Sequence, residues 1–369
     1  MYNILTLNKI AACGTDLFDK SRYTVGDAVE NPTGILVRSA VMHDMELGAD
    51  LLAIGRAGAG TNNIPVEKCA EAGIVVFNSP GANANAVKEL VLAGLFLASR
   101  RVTAAVQWAA TLEDTADMNV AKQVEKGKSN FGGCEITGKT LGVIGLGAIG
   151  RKVAEAAAAL GMTVVGTDPF LSEAAAAEIA SFCKVVATKE EIYAAADYIT
   201  LHVPCNNDTK GFFNADVFAQ CKDGVKVLNF ARGELVNDDD LEKAIAAGKV
   251  SCYVTDFPNA KTVKMDGVVA IPHLGASTAE SEDNCAIMAA NELIDYIDNG
   301  NIRNSVNFPN VSADAAKKVC VLHKEGASFP GTVLATGVKK GFGYTILAGD
   351  ADAEAVKACD GVIRVRVIG

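Results

Sequence analysis

The sequence predicts an α/β protein built as two doubly wound parallel-sheet lobes followed by a small α+β domain. Three observations carry that prediction. Short buried-strand runs alternate with helix-length stretches across the first hundred residues, the same grammar restarts at Thr140, and the composition shifts beyond Pro309. A chain of 369 residues is too long for one core, so two or three domains are expected before any motif is read. With 50% apolar and 21% charged residues, folding is expected throughout.

In the first block, Ile4 to Leu7, Ile35 to Val37, Leu51 to Ile54 and Ile74 to Phe77 read as buried strands. From Asn85 to Trp108 the pattern becomes one long Ala- and Leu-rich helix, suited to linking two lobes or to burial against a second subunit. After the polar stretch Lys126 to Lys139, the second block supplies strands at Thr140 to Ile144, Thr163 to Gly166, Tyr198 to Val203, Val225 to Phe230, Ser251 to Thr255 and Val268 to Ile271. Helices fall between them, among them Arg151 to Leu160 and Asp238 to Ala247, and six strands so connected fit a doubly wound sheet. Thr278 to Asn299 reads as one helix, capped by Ser277 or Thr278 and ended by Asn299-Gly300, long enough to return to the first lobe. Beyond it, Val319 to Leu322, Tyr344 to Leu347 and Val362 to Val367 read as strands around two short helices. A domain of about fifty residues is near the lower limit of independent stability, so it should lean on the body or on a second chain. The expected boundaries are 1–92 and 280–309 for one lobe, 93–279 for the other, and 314–369 for the C-terminal domain.

A net charge of −10 argues against a general affinity for nucleic acid or anionic membranes, both of which reward clustered Lys and Arg. A small anionic substrate instead needs a local cationic pocket, for which Arg38, Arg56 and Arg232 are the candidates. Met1 to Leu7 lacks a basic start followed by a long apolar stretch, and the longest apolar run, Leu90 to Ala98, falls short of the ~20 residues that span a bilayer. A cytoplasmic location is the expectation. The ten cysteines never approach a C-x-x-C spacing and read as reduced thiols, with no metal site implied.

The clearest chemical motif is Gly145-Leu146-Gly147-Ala148-Ile149-Gly150, preceded by an apolar strand and followed by an Ala-rich helix. Glycines at this spacing permit a tight reversal, close approach of backbone N–H groups to a pyrophosphate, and close packing of helix on strand. A carboxylate, Asp168, ends the next strand, where it can accept hydrogen bonds from ribose hydroxyls and would repel a 2′-phosphate. NAD is therefore the expected cofactor, in preference to NADP.

Hydride transfer from an alcohol needs a group that takes the hydroxyl proton, and imidazole is well matched to that near neutral pH. Of the four histidines, His273 lies just past a strand of the second block, where ligands of doubly wound sheets bind. Arg232 occupies the equivalent end of another strand, and a guanidinium can grip a carboxylate through two parallel hydrogen bonds. Taken singly, Arg232 suits a surface ion pair and His273 a half-buried structural histidine.

Together with Gly145 to Gly150, the segments His202-Val203-Pro204, Phe230-Ala231-Arg232-Gly233 and Pro272-His273-Leu274-Gly275-Ala276-Ser277, in that order and spacing, resemble the D-2-hydroxyacid dehydrogenases. Arg38-Ser39-Ala40, Arg56 to Asn63, Gly81 to Leu90 and Asn304 to Pro309 narrow the likeness to members that oxidise D-3-phosphoglycerate. The resemblance covers residues 1 to about 309 and implies a Rossmann NAD lobe beside a flavodoxin-like, discontinuous substrate lobe. It implies that His202, Val203, Pro204, Thr209, Ala231, Asp256 and Gly275 border the cofactor, and that Arg38, Ser39, Arg56, Gly58 and Ala59 face a small anionic substrate. It further implies His273 as general base, Arg232 as carboxylate anchor, Asp256 as a candidate catalytic acid, and a homodimer or homotetramer.

Two departures accompany the likeness. The family places a Glu before a Pro to orient the catalytic His, but Asp256-Phe257-Pro258-Asn259-Ala260-Lys261 has none, and no Glu lies between Gly248 and His273. The C-terminal block resembles a shortened ACT-type domain whose first helix would start at Pro330-Gly331, with His323 near where serine would bind as an effector. The competing readings are a hydroxypyruvate, glyoxylate or other 2-keto acid reductase and, from another class, a non-catalytic NAD-sensing corepressor.

Overall fold

The computed structural model describes residues 1–369, which divide into two compact units, Met1–Asn83 with Thr278–Gly369, and Ala84–Ser277. No helix in either is long and apolar enough to cross a membrane.

The first unit holds a parallel sheet of β1 (Tyr2–Leu7), β2 (Tyr23–Gly26), β3 (Gly34–Val37), β4 (Ala53–Arg56) and β5 (Val75–Asn78), ordered β2-β1-β3-β4-β5. The strand pleat sends neighbouring residues to opposite faces, so Ile4, Leu36, Ala53 and Phe77 enter one apolar cluster while Leu5, Ile35, Ile54 and Val76 enter another. Both faces are covered, which is why these strands read as continuous apolar runs. The edge strand β2 gave no such run, since only Tyr23 of its four residues is fully buried.

Leu293, Tyr296 and Ile297 of the helix Ala279–Asn299 complete the first cluster. Thr278 caps this helix by accepting from the Ser281 N–H at 3.1 Å, Glu280 and Glu282 complement its dipole, and Gly300 ends it in the left-handed conformation. Gly55 of β4 allows the helix to approach, since a Cβ there would lie 3.0 Å from the Ala289 carbonyl oxygen.

The C-terminal residues form an antiparallel sheet of β13 (Lys318–Lys324), β14 (Val333–Lys339), β15 (Phe342–Ala348) and β16 (Val362–Ile368), ordered β14-β15-β13-β16. One face, with Cys320, Leu322, Tyr344 and Ile346, joins the cluster around Tyr296. The other packs Val319, Val321 and Leu347 on Val356 of the single helix Ala353–Lys357. The expected helix from Pro330-Gly331 does not form. Val333 to Lys339 runs as β14, because its residues alternate in exposure with the period of a strand rather than a helix. The expectation of two short helices is therefore corrected to one.

The second unit contains seven parallel strands, β6 (Thr140–Ile144), β7 (Thr163–Thr167), β8 (Lys184–Val185), β9 (Tyr198–Leu201), β10 (Val225–Asn229), β11 (Val250–Thr255) and β12 (Val268–Ala270), ordered β12-β11-β10-β9-β6-β7-β8. The chain leaves β6 towards β7 and β8, then returns to place β9 on the other side. The carboxyl ends of β6 and β9 thus flank the point where the strand order reverses. Two residues of β8 are too few to register as an apolar run.

The long helix expected from Asn85 to Trp108 is two helices, Ala84–Arg100 and Val102–Ala109, broken at Arg101 with φ 41°. Its hydrogen bonding is diverted there: the Ser99 carbonyl accepts from Cys134 N–H at 3.0 Å, and Gly133 lies so close that a Cβ would stand 2.2 Å from that oxygen.

Candidate active site

Strand β6 ends at the glycine turn. Gly145 has φ 95°, and a Cβ there would strike the His202 carbonyl oxygen at 2.5 Å. A Cβ on Gly150 would lie 1.9 Å from the Gly145 oxygen, so helix and turn close-pack only with glycine. Gly147, by contrast, faces open space and precedes the helix Ala148–Ala159 without a side-chain cap, leaving the N–H groups of the first turn available to an anion. These residues fit a dinucleotide pyrophosphate. Leu146 and Ile149 contribute packing on the buried side, with Leu146 fully enclosed.

Asp168 is partly exposed at the end of β7, where its carboxylate accepts from Leu146 N–H and Phe170 N–H, both at 2.9 Å. The acid is thereby tied to the turn it accompanies. At the end of β9, the His202 Nε2 meets Thr200 Oγ1 at 2.9 Å, while Nδ1 is buried without a protein partner. Burial pushes this imidazole down to about 4, so it stays neutral and is a poor proton acceptor. Val203 and Pro204 follow, and the Thr209 hydroxyl closes their loop by donating to the Pro204 carbonyl.

Three neighbouring strands supply the remaining groups. Past β10, the buried Asn229 side chain accepts from Ala231 N–H at 3.2 Å and donates to the Arg232 carbonyl at 2.8 Å, shaping the turn that presents the exposed Arg232 guanidinium. Past β12, His273 takes a left-handed φ of 54°, a strained backbone for a side chain of its size. That conformation is held from β11: the buried Asp256 carboxylate accepts from Leu274 N–H at 2.7 Å and Gly275 N–H at 2.8 Å. Desolvation raises the Asp256 carboxyl above its ordinary value, and the two backbone donors oppose the shift.

Phe257 is in contact with both His273 and Arg232. Its ring centroid is 4.6 Å from that of His273 and 5.6 Å from the Arg232 guanidinium carbon. A cavity of about 550 Å³ opens beside them, lined by Gly233, Glu234, Asp238, Asp256, Phe257 and His273 among others. The segment that lacks the Glu is fastened to the helix Asp238–Ala246 by Asn259 Nδ2 donating to Asp238 at 2.7 Å and by Lys261 bridging Asp239 and Glu242. Neither Asn229 nor Phe257 belongs to the motifs that mark the site in the sequence. The signal for Asn229 was available, as a polar residue ending an apolar strand.

In the first unit, Arg38 pairs with Glu282 at 2.7 Å, and the Ser39 N–H donates to Asn8 Oδ1 at 2.9 Å. The Arg56 guanidinium lies over Gly58, which has φ 140° and leaves no room there for a Cβ. Buried Ser79 fixes this loop through its hydroxyl on the Arg56 carbonyl and its N–H on the Gly58 carbonyl, while Asn78 Nδ2 donates to the Ala59 carbonyl. All ten cysteines are free thiols.

Residues 102–275 match the family described as D-isomer specific 2-hydroxyacid dehydrogenase, NAD binding domain. The chain carries the NAD-binding domain of that family. Among sequence relatives, the D-3-phosphoglycerate dehydrogenase of Archaeoglobus fulgidus is 36% identical over 287 residues, covering 75% of this chain and 52% of that one. The Bacillus subtilis protein of the same name is 31% identical over 342 residues, covering 88% and 62%. This chain thus spans about half the length of the curated relatives it matches. Among solved structures, an NAD+-bound 3-phosphoglycerate dehydrogenase of Entamoeba histolytica aligns with TM-score 0.64 at 26% identity, covering 83% of this chain and 98% of that one.

Proposed function

We propose that the protein is an NAD-dependent dehydrogenase that oxidises D-3-phosphoglycerate at C2 to 3-phosphohydroxypyruvate, a step towards serine. The observation that carries this reading is the placing of His273 and Arg232 on one aromatic side chain, on the unit that also holds the dinucleotide turn. NAD supplies the hydride acceptor when bound. Gly147 and the first turn of its helix hold the pyrophosphate, and Asp168 and Ala231 border the rest of the cofactor. Arg232 grips the substrate carboxylate through its paired N–H groups, fixing C2. The His273 imidazole accepts the C2 hydroxyl proton as hydride departs, and Asp256 acts through the backbone of residues 274 and 275 to aim it. Arg38 or Arg56 serves the phosphate end, with Ser39, Gly58 and Ala59 beside them in the substrate loops.

Support for the phosphorylated substrate comes from the names of the sequence relatives. Following NADH formation with D-3-phosphoglycerate and with unphosphorylated 2-hydroxy acids tests it. A preference for the phosphorylated acid of at least ~100-fold in kcat/KM is expected from one added charge-assisted pair. A higher rate with glyoxylate or hydroxypyruvate and NADH identifies a reductase, and NAD binding without turnover identifies a sensing module.

We also propose a homodimer through the helices Ala84–Arg100 and Val102–Ala109, which expose Phe96, Val102 and Val106. The C-terminal sheet is read as structural, since His323 is buried with Nδ1 on the Lys324 carbonyl and Nε2 on Thr345 Oγ1, leaving neither nitrogen for serine.

A further inference from the structure

Phe257 occupies a singular place in the second unit. In the order β12-β11-β10, its strand β11 lies between the strand leading to His273 and the strand leading to Arg232. All three side chains emerge just beyond the carboxyl ends of these parallel strands, so the middle one is the natural neighbour of the outer two. The contacts agree: the ring lies against the imidazole at an interplanar angle of 48° and beneath the guanidinium at 5.6 Å. Gly233, next to Arg232, closes on the same residue, since a Cβ there would stand 3.3 Å from Phe257 Cβ and from its carbonyl oxygen.

Phe257 is itself firmly held. Its N–H donates to Thr255 Oγ1 at 3.0 Å, and the preceding Asp256 is 1% exposed and hydrogen-bonded on both carboxylate oxygens. The loops that carry the two groups it touches are fixed by Asp256 and Asn229, but the tips of the side chains lack comparable anchors. Arg232 forms no ion pair with an acid and donates to the Ala231 carbonyl at 2.6 Å, and the single hydrogen bond of His273 is made by its backbone N–H to the Ile271 carbonyl. An aromatic face attracts a guanidinium and an imidazolium alike, and packs against a neutral imidazole without demanding a hydrogen bond.

We propose that Phe257 is a positioning residue that sets the spacing of His273 and Arg232 by holding both against one ring. This rests on the catalytic reading above. Holding the two groups at a fixed separation would act on the chemical step, since small misplacements of reacting groups slow turnover far more than they weaken ground-state binding.

Phe257→Leu and Phe257→Tyr separate this role from plain packing. Kinetics with NAD and D-3-phosphoglycerate, NAD affinity by calorimetry, and thermal unfolding are measured on the full chain, with Arg232→Ala and His273→Ala in parallel. The leucine variant is expected to lose roughly 10- to 100-fold in kcat while its NAD dissociation constant stays within about 2-fold, and the tyrosine variant to recover most of the loss. Leucine turnover within about 2-fold of the parent, a tyrosine variant as impaired as the leucine one, or a fall in NAD affinity that matches the fall in kcat overturns the inference. If Arg232→Ala and His273→Ala lose activity while Phe257→Leu does not, only the positioning role fails. If those two retain full activity, or the parent has none, the catalytic reading fails with it.

Discussion

His273 sits in a backbone conformation that few side chains of its size adopt, and Asp256 is the residue that keeps it there. An amide has one acceptor oxygen where a carboxylate has two, so Asp256→Asn must leave Leu274 or Gly275 N–H facing an NH2 group. A loss of about 1–3 kcal/mol in urea unfolding is expected, with kcat falling in step because the loop carrying the imidazole loosens. The glycine turn yields a sharper contrast. Gly150→Ala forces a Cβ into the Gly145 oxygen and should lower both the melting temperature and NAD affinity, whereas Gly147→Ala meets open space and should weaken only NAD. Calorimetry and titration of the two variants check this; equal effects on folding would show that Gly147 is a turn residue and nothing more.

Glu292 links sequence to stability at the level of an element, the helix Ala279–Asn299. One carboxylate oxygen accepts from Asn304 Nδ2 at 2.7 Å, the other is buried without a partner, and desolvation raises the group from 4.5 to about 8. A carboxyl that holds its proton more tightly when folded contributes fully below its unfolded value and loses that contribution as pH rises through the folded one. Between pH ~5.5 and ~8.5 the parent should therefore lose about 3 kcal/mol relative to Glu292→Gln, read by urea unfolding at both values. A pH-independent difference would mean that the carboxyl is solvated. The helix itself was legible in the sequence, because Thr278 and Gly300 are strong terminal signals. The break at Arg101 was not, since it comes from Cys134 capturing the Ser99 carbonyl across a distant turn. β2 and β8 were missed because short edge strands lack a buried apolar run. The candidate site divides in the same way: Arg232, His273 and the glycines stand out in the sequence by type and spacing, whereas the contacts of Phe257 with His273 and Arg232 depend on which strands lie side by side.

Across the molecule, the C-terminal sheet is built into the first unit rather than appended to it. Arg366 donates to the Tyr296 and Ile297 carbonyls at 3.0 and 2.6 Å, Arg364 donates to the Leu51 carbonyl at 2.6 Å, and the inner face of the sheet shares a core with Tyr296. Deleting residues 314–369 should accordingly abolish cooperative unfolding of the unit, where a separable domain would leave the transition intact; circular dichroism melts distinguish the two. The same partition leaves the dinucleotide turn, Arg232 and His273 together in Ala84–Ser277, and the account stands on their acting in one reaction. Steady-state NADH production from D-3-phosphoglycerate by the parent, Arg232→Ala and His273→Ala tests this most directly. Turnover is expected in the parent, with a loss of roughly 10²- to 10⁴-fold in kcat for His273→Ala and a loss in Arg232→Ala carried mainly by KM. Parental rates in either variant would contradict it.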